Sequence, residues 1–314
     1  MRWIISAAVI LAVVSCGQRR DDVFHPRPFP AATVPSMMTD VSEAASYLAG
    51  HFWDEFTDTS KMYPCDSSVV NGVRKEEVEQ AYANYAALLD MVPQGEAVES
   101  VRDLFGKISA VEMKDSSSNV FETLVEITER YLYDPNSPFR NEDYYLPFVE
   151  GLSRSAFVPE SRKPGYAYDA GMCALNRVGT AAADFIFADS RGRRYTLYGI
   201  DADYTVLFFS NPGCAACKDI IDALDSSPKI GAMISEGRLA VLNIYIDTDL
   251  DEWRRYMPVY PDTWYNGYDP EFVIRTDVLY NVRAIPSLYL LDSRKTVLMK
   301  DAPQERLFRM LESL

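Results

Sequence analysis

Two cysteines, Cys214 and Cys217, form a Cys-x-x-Cys pair between an apolar run and a segment with helical spacing. The apolar run, Tyr204 to Phe209, predicts a buried strand, and residues 218–224 predict a helix. Two thiols three positions apart on the first helical turn lie on one face, close enough to form a disulfide. Free N–H groups and the positive end of the helix dipole lower the pKa of the first thiol. The pair therefore predicts a redox-active dithiol.

Other interpretations of this pair are weaker. A zinc site would need two more Cys or His ligands, and a purely structural disulfide would not require a strand, a turn and a helix start. The other thiols and the histidines, none of which has ligand spacing, are Cys16, Cys65, Cys173, His25 and His51. The chain also has no nucleotide-binding or flavin fingerprint. We therefore expect no metal and no cofactor, so electrons must come from another protein.

The N-terminus has the features of an export signal. Arg2 supplies a positive charge, the twelve apolar residues from Trp3 to Val14 are too few to span a bilayer, and small residues precede Cys16. This pattern resembles a bacterial lipobox, which implies that residues 1–15 are removed and that Cys16 is lipidated. An ordinary signal peptide cut elsewhere is the alternative. Because Gly17 and not Asp follows, we expect a lipid-anchored envelope protein of the outer membrane facing the periplasm, with surface exposure left open.

Charge excludes one class of partner. The chain has 31 basic and 46 acidic residues and a net charge of −15, whereas nucleic-acid binding requires basic patches. Hydrophobic residues make up 48% of the chain and aromatic residues 12%, which is enough for two cores at this length. We therefore expect a folded two-domain body that does not bind nucleic acid.

Residues 16–40 and 41–177 differ in pattern. The first segment carries four prolines without periodicity and predicts an extended tether, whereas the second predicts an all-α domain. The apolar stripes run over Ala44–Phe56, Val78–Leu89, Val98–Ile108 and Phe121–Leu132, and further helices are expected around 141–154 and 165–177. Residues 51–56, 131–138 and 140–142 resemble a domain of unknown function that precedes thioredoxin-like domains in Bacteroides-type secreted proteins. That resemblance implies no activity, and a lone His51 on a helix is expected to be an ordinary side chain.

The period changes after residue 177. Hairpins are predicted at 184–197 and 287–299, a second buried strand at 239–245 and a closing helix at 303–314. The order is strand, Cys-x-x-Cys helix, strand, helix, hairpin, helix. It predicts an α/β thioredoxin-like domain over 178–314, with a central mixed sheet and flanking helices, which we expect to fold separately from the helical domain.

The same stretch resembles the TlpA-like thiol-disulfide oxidoreductases of the thioredoxin superfamily. The resemblance rests on Gly179, Ala182, Asp184, Phe185, the Gly192 turn, Leu197, the Cys-x-x-Cys pair and the run Ile285 to Asp292. It implies that Cys214 is the attacking thiolate and Cys217 the resolving thiol. It also implies that Pro286, preceded by Ile285, is the cis proline whose neighbouring backbone pairs with an extended substrate strand.

The chain departs from that family at several positions. Phe208 stands where many thioredoxins carry a buried acid, so the proton acceptor for Cys217 is not identified. Gly213 replaces a common aromatic residue, and Ala215 and Ala216 stand between the cysteines without a proline. The redox potential, which decides between reductase and oxidase, therefore cannot be inferred by analogy.

The sequence favours a lipid-anchored reductase of disulfides in envelope proteins, recharged by an external thiol protein. A peroxide-reducing enzyme is an alternative, although the chain lacks a Pro-x-x-x-Thr/Ser segment before a lone reactive cysteine. A non-catalytic envelope binding lipoprotein is another. Cys65 and Cys173 either pair across the domain junction or stay free.

Overall fold

The computed structural model describes residues 25–314. The predicted signal peptide and the predicted lipidation residue Cys16 lie outside the described residues. Within the described part, no helix combines the length and the apolar character needed to cross a bilayer. The chain forms a helical half followed by a half built on a mixed sheet, as the sequence predicts.

Part of the segment predicted as a tether is packed on the helical half. The ring of Phe29 lies 5.5 Å from that of Trp53, measured between centroids, and Arg27 donates its backbone N–H to the carbonyl of Gly72 at 2.8 Å. Prolines on both sides of Phe29 favour extended backbone, which lets its ring reach the helices. The part of this segment at Arg27 and Phe29 is therefore docked on the helical half, whereas residues 31–40 are mostly exposed.

The helices of the helical half lie close to the predicted positions. They are α1 (Val41–His51), α2 (Lys75–Leu89), α3 (Gln94–Lys114), α4 (Val120–Thr128), α5 (Glu142–Arg154) and α6 (Lys163–Cys173). A π-helical turn, Glu129–Tyr133, continues α4. Trp53, Tyr82 and Tyr85 are buried in the common core, with ring centroids 5.6 to 5.8 Å apart. The predicted stripes thus form one aromatic core.

A short hairpin within the helical half was not predicted. Strands β1 (Val69–Val70) and β2 (Val73–Arg74) pair in antiparallel fashion around Asn71 and Gly72, both of which have positive φ, at 46° and 78°. Asn-Gly between apolar residues is the usual sequence of such a two-residue turn, because Gly adopts positive φ without steric cost. The signal was present in the sequence, but the helical stripes around it dominated the interpretation.

The second half contains a seven-stranded sheet in the order β4-β3-β7-β6-β5-β8-β9. Its strands are β3 (Ile186–Ala188), β4 (Arg194–Thr196), β5 (Tyr204–Phe209), β6 (Leu239–Tyr245), β7 (Tyr265–Tyr268), β8 (Ser287–Asp292) and β9 (Val297–Met299). The helices are α7 (Ala215–Ser226), α8 (Pro228–Ser235), α9 (Leu250–Tyr256), α10 (Val273–Thr276) and α11 (Gln304–Ser313). Strands β5, β6 and β7 are parallel, and the other pairings are antiparallel. Both predicted hairpins are present, whereas β7 was not predicted.

Strand β5 separates two cores. Val206 and Phe208 face the core that contains Cys217, whereas Leu207 and Phe209 face the opposite one. Successive side chains of a strand point to opposite faces, so a run that is apolar at every position must be covered on both sides. This double burial fixes the end of β5, from which the Cys-x-x-Cys turn begins.

The two cysteines of the helical half are not joined to each other. Cys65 is half-buried and its sulfur accepts a hydrogen bond from the backbone N–H of Asn71 at 3.4 Å. Cys173 is fully buried, and burial raises the pKa of its thiol far above the ordinary value. Both are free thiols, so the alternative in which they pair across the junction is wrong.

Candidate redox site

The dithiol lies where β5 gives way to α7. Cys214 is the N-cap of α7, and its Sγ accepts a hydrogen bond from the backbone N–H of Cys217 at 3.1 Å. The two cysteines form a disulfide with their Cα atoms 5.2 Å apart, within the usual range for this bond. Once the disulfide is reduced, the same N–H and the helix dipole are placed to stabilise a thiolate at Cys214. The helix start therefore favours the first cysteine as the nucleophile.

The two sulfurs differ in access. Cys214 is half-buried at the protein surface, whereas Cys217 is 1% exposed and belongs to the hydrophobic core. The neighbours Gly213, Ala215 and Ala216 are small and exposed, so no side chain of this turn covers Cys214. A disulfide in a client protein can therefore reach the Cys214 sulfur directly, whereas the buried Cys217 sulfur is not accessible to it.

Gly213 explains one departure from the thioredoxin pattern. Its φ is 73°, in the left-handed region that residues with a Cβ rarely adopt. The aromatic residue common at this position would therefore be strained here, even though the space around the Cα is open. With Gly213 in place of an aromatic residue, Cys214 is more accessible and has no aromatic ring beside it at this position.

Ile285 and Pro286 immediately precede β8, whose first residue, Ser287, pairs in register with Phe209 at the end of β5. The peptide bond between them is cis, as the family resemblance implies. Ile285 packs against both cores of the sheet, and it shares one of them with Cys214 and Cys217. The structure thus brings the three predicted groups, the two thiols and the proline segment, to the same end of β5 and β8.

The position of the missing buried acid is apolar, and neutral polar groups lie near it. Phe208 is fully buried and pairs in register with Asn243 of β6, which faces the same core. Asn243 Oδ1 accepts a hydrogen bond from the Ser210 hydroxyl at 2.5 Å, and the Tyr260 hydroxyl lies 3.5 Å from that of Ser210. Burial raises the pKa of Tyr260, so none of these groups ionises near neutral pH. The sequence analysis missed this cluster, although a polar residue inside the apolar run of β6 was a visible signal.

Two further observations bear on cofactors and on His51. Within residues 25–314, no three His, Cys, Asp or Glu side chains are arranged to bind a metal ion. The exposed His51 Nδ1 lies 2.7 Å from the Asp54 carboxylate. That contact is an ordinary surface pair on a helix end.

Residues 9–172, more than half of the chain, match the model of a domain of unknown function, DUF5106. The chain belongs to the DUF5106 family. A crystal structure of a thioredoxin-like protein from Bacteroides caccae is 35% identical, covers 91% of this chain and 99% of its own, and has a TM-score of 0.78. No curated protein matches the chain.

Two other solved structures each match less than half of this DUF5106 protein. The C-terminal domain of a Bacteroides fragilis protein is 46% identical over 44% of this chain and 98% of its own, with a TM-score of 0.42. The thioredoxin domain of a Bacteroides vulgatus thiol-disulfide oxidoreductase is 18% identical over 44% and 96%, with a TM-score of 0.38. The Bacteroides caccae match, which spans both halves, confirms the predicted fold class.

Proposed function

We propose that this DUF5106 protein is a thiol-disulfide oxidoreductase that reduces disulfides in proteins of the cell envelope. The observation that carries the proposal is the asymmetry of the dithiol: an accessible Cys214 at a helix start, backed by a buried Cys217 within disulfide distance. The cis Ile285–Pro286 segment supports it, because in a partly exposed segment of this kind backbone groups can pair with an extended client strand.

The reaction has two displacement steps. The Cys214 thiolate attacks one sulfur of the client disulfide, forming a mixed disulfide and releasing the other client sulfur as a thiolate. Cys217, after losing its proton to solvent, attacks the Cys214 sulfur, which closes the enzyme disulfide and releases the second client thiolate. Two electrons pass from enzyme to client, and both client thiolates take protons from water. An external thiol protein then returns two electrons to the enzyme.

The cellular setting belongs to the same proposal. Lipidation of Cys16 would tether the chain to the envelope, where it would act on client proteins outside the cytoplasm. The TlpA-like resemblance fits a membrane-associated enzyme. A Cys16→Ser chain should lose its membrane attachment or stay unprocessed, which fractionation of cells and intact-mass measurement would detect. Unchanged membrane attachment of that variant would rule out this anchor.

Reduction of insulin by the full chain, with dithiothreitol as electron source, tests the activity. Cys214→Ser should abolish turnover, and Cys217→Ser should abolish turnover while accumulating mixed disulfides with client proteins. Cys65→Ser is the matched control, because it removes a half-buried thiol outside the motif and should leave the rate unchanged. Retained activity in both motif variants would exclude this site.

Three outcomes would redirect the proposal. Faster oxidation of a reduced, unfolded protein than reduction of insulin would reverse the assigned direction, since the redox potential decides it. Turnover of hydrogen peroxide without insulin reduction would favour the peroxide-reducing alternative. Client binding by a wild-type chain that reduces neither insulin nor peroxide would favour a binding protein with a thioredoxin-like scaffold.

A further inference from the structure

A buried carboxylate of the helical half reaches into the thioredoxin-like half. Glu142, at the start of α5, is 2% exposed. Its Oε1 accepts a hydrogen bond from Asn281 Nδ2 at 2.6 Å and lies 2.9 Å from Arg283 Nε, and its Oε2 lies 2.7 Å from Lys300 Nζ. One side chain of the domain of unknown function thus contacts three polar groups of the other half.

Arg283 connects this carboxylate to the proline segment. It precedes Pro286 by three residues, which is at most about 10 Å of extended chain. Its Nη2 lies 3.1 Å from Asp301 Oδ2, and its guanidinium carbon lies 4.2 Å from the centre of the Tyr133 ring, in the helical half. Arg283 is therefore held between two carboxylates and an aromatic face.

The other end of the segment is held by the same group of residues. Ser287, which follows Pro286, donates its hydroxyl to Asp301 Oδ1 at 2.8 Å. Asp301 is in turn fixed by the helical half, because Arg140 Nε donates to its backbone carbonyl at 3.0 Å. Carboxylates thus anchor residues on both sides of Pro286, and the helical half supplies or supports each anchor.

We propose that Glu142 is a positioning residue, through which the helical half holds segment 281–287 in the geometry that receives a client strand. This inference rests on the proposed function and assigns the domain of unknown function a part in it. Buried charge pairs tolerate little displacement, since each ion has given up its hydration and depends on its partner. A binding segment misplaced by about 1 Å slows a reaction by about 100-fold.

Glu142→Gln in the full chain tests the proposal. Deuterium exchange of backbone amides in peptides covering 279–288 should rise about tenfold or more, while exchange in β5 and β6 stays unchanged. Insulin reduction should fall about 10- to 100-fold. Reduction of a small aromatic disulfide, which does not need the segment, should stay within about twofold of the wild-type rate.

Asp90→Asn is the matched control. Asp90 lies 3.2 Å from Arg306 across the same boundary, but neither side chain forms a hydrogen bond or ion pair with segment 281–287, and each is about one-third exposed. This variant removes an ion pair between the halves and should leave both the exchange and the insulin rate unchanged. Equal effects of Glu142→Gln and Asp90→Asn would overturn the proposal, because general loosening of the boundary would then explain them.

A second pair of variants decides the matter if Glu142→Gln does not fold. Tyr133→Leu removes the ring beneath Arg283 and should raise exchange over 279–288 by a smaller factor. Tyr168→Leu is its control. Tyr133 and Tyr168 both line a cavity of about 310 Å³ between the halves, but Tyr168 is 64% exposed. Unchanged exchange over 279–288 in a folded Glu142→Gln or in Tyr133→Leu would refute positioning. A wild-type chain that reduces no disulfide would refute the proposed function instead, and the exchange measurements would still decide the positioning.

Discussion

The helical half and the thioredoxin-like half each carry two cysteines within residues 25–314, and only one half makes a disulfide from them. Cys65 lies in an irregular segment and Cys173 at the buried end of α6, whereas Cys214 and Cys217 share one turn at a helix start. The difference teaches that the local backbone, and not the number of thiols, decides which cysteines can do redox chemistry. Reactivity, the strength of the buried ion pairs, packing and titration each test how far the two halves differ.

The largest difference is expected in thiol reactivity. In the reduced full chain at neutral pH, iodoacetamide should label Cys214 more than about 100-fold faster than Cys173. The fraction of thiolate falls about tenfold for each unit by which the pKa of a thiol rises. Burial both raises the pKa of Cys173 and blocks access to its sulfur. Peptide mass spectrometry over a time course measures the rates.

Labelling in strong denaturant is the control for this comparison. Unfolding removes burial and the helix start together, so the labelling rates of Cys173, Cys214 and Cys217 should converge. Labelling of Cys217 ahead of Cys214 in the folded chain would reverse the assigned roles. Rapid labelling of Cys173 in the folded chain would contradict the view that the helical half keeps this thiol inert.

The sequence predicted the elements that depend on local residues and missed those that depend on contacts distant along the chain. Strands β5, β6 and β8 and the dithiol turn were predicted, because each is a short apolar or motif-bearing segment. Strand β7 was not, because Tyr265 to Tyr268 contains Asn and Gly and no β-branched residue. Its pairing with β6 depends on tertiary contacts.

The contacts of Glu142 could not be predicted for a different reason. Its partner Asn281 is 139 positions away, and Arg140 and Asp301 are 161 positions apart. A single sequence shows Glu142 only as an acidic residue near a helix start, where carboxylates are common for local reasons. The prediction of two separately folding domains treated 175–183 as a simple boundary and had no means of finding this network.

The next largest effect should come from breaking that network. Lys300→Met leaves Glu142 without its 2.7 Å partner, and removing one member of a buried ion pair lowers the free energy of unfolding by about 3 to 5 kcal/mol. Urea unfolding of the full chain measures the loss. Lys61→Met is the control, because its pair with Glu55 lies at the surface and should leave the midpoint nearly unchanged.

The unfolding curve of Lys300→Met also tests independence of the halves. Far-ultraviolet circular dichroism and the fluorescence of the tryptophans should shift together if the buried pair couples the two halves. Two separate transitions, with only one of them shifted, would favour the original prediction of separate folding. An unfolding midpoint equal to the wild type would show that the pair contributes nothing to stability.

Packing in the helical half should give a smaller effect. A Cβ on Gly151 of α5 would lie 2.5 Å from the Phe105 ring of α3, so Gly151→Ala should destabilise the chain by about 1 to 3 kcal/mol. Gly106→Ala is the matched control. Gly106 lies on the same helix as Phe105, and its Cβ would meet no neighbouring atom within 4 Å. That variant should stabilise by up to about 1 kcal/mol, since Ala restricts the unfolded chain. Urea midpoints that fall equally in both variants would contradict the packing argument.

The smallest effect concerns a carboxyl of the helical half, next to the ring that contacts Arg283. Burial raises the pKa of Asp169 above its ordinary value near 3.8, although the Tyr133 hydroxyl donates to its Oδ1 at 3.2 Å. The folded chain therefore keeps this proton at a pH where the unfolded chain has lost it, and stability falls as pH rises through the raised pKa. Asp169→Asn should raise the urea midpoint at pH 7, and the gain should vanish as pH falls below about 3.8.

Asp58 is the control of opposite sign. Hydrogen bonds from Ser60 lower the pKa of Asp58, so Asp58→Asn should lower the midpoint at pH 7. A lower midpoint for Asp169→Asn at pH 7 would mean that the charge of Asp169 stabilises the fold, and that the helical half uses a second carboxylate to hold the boundary.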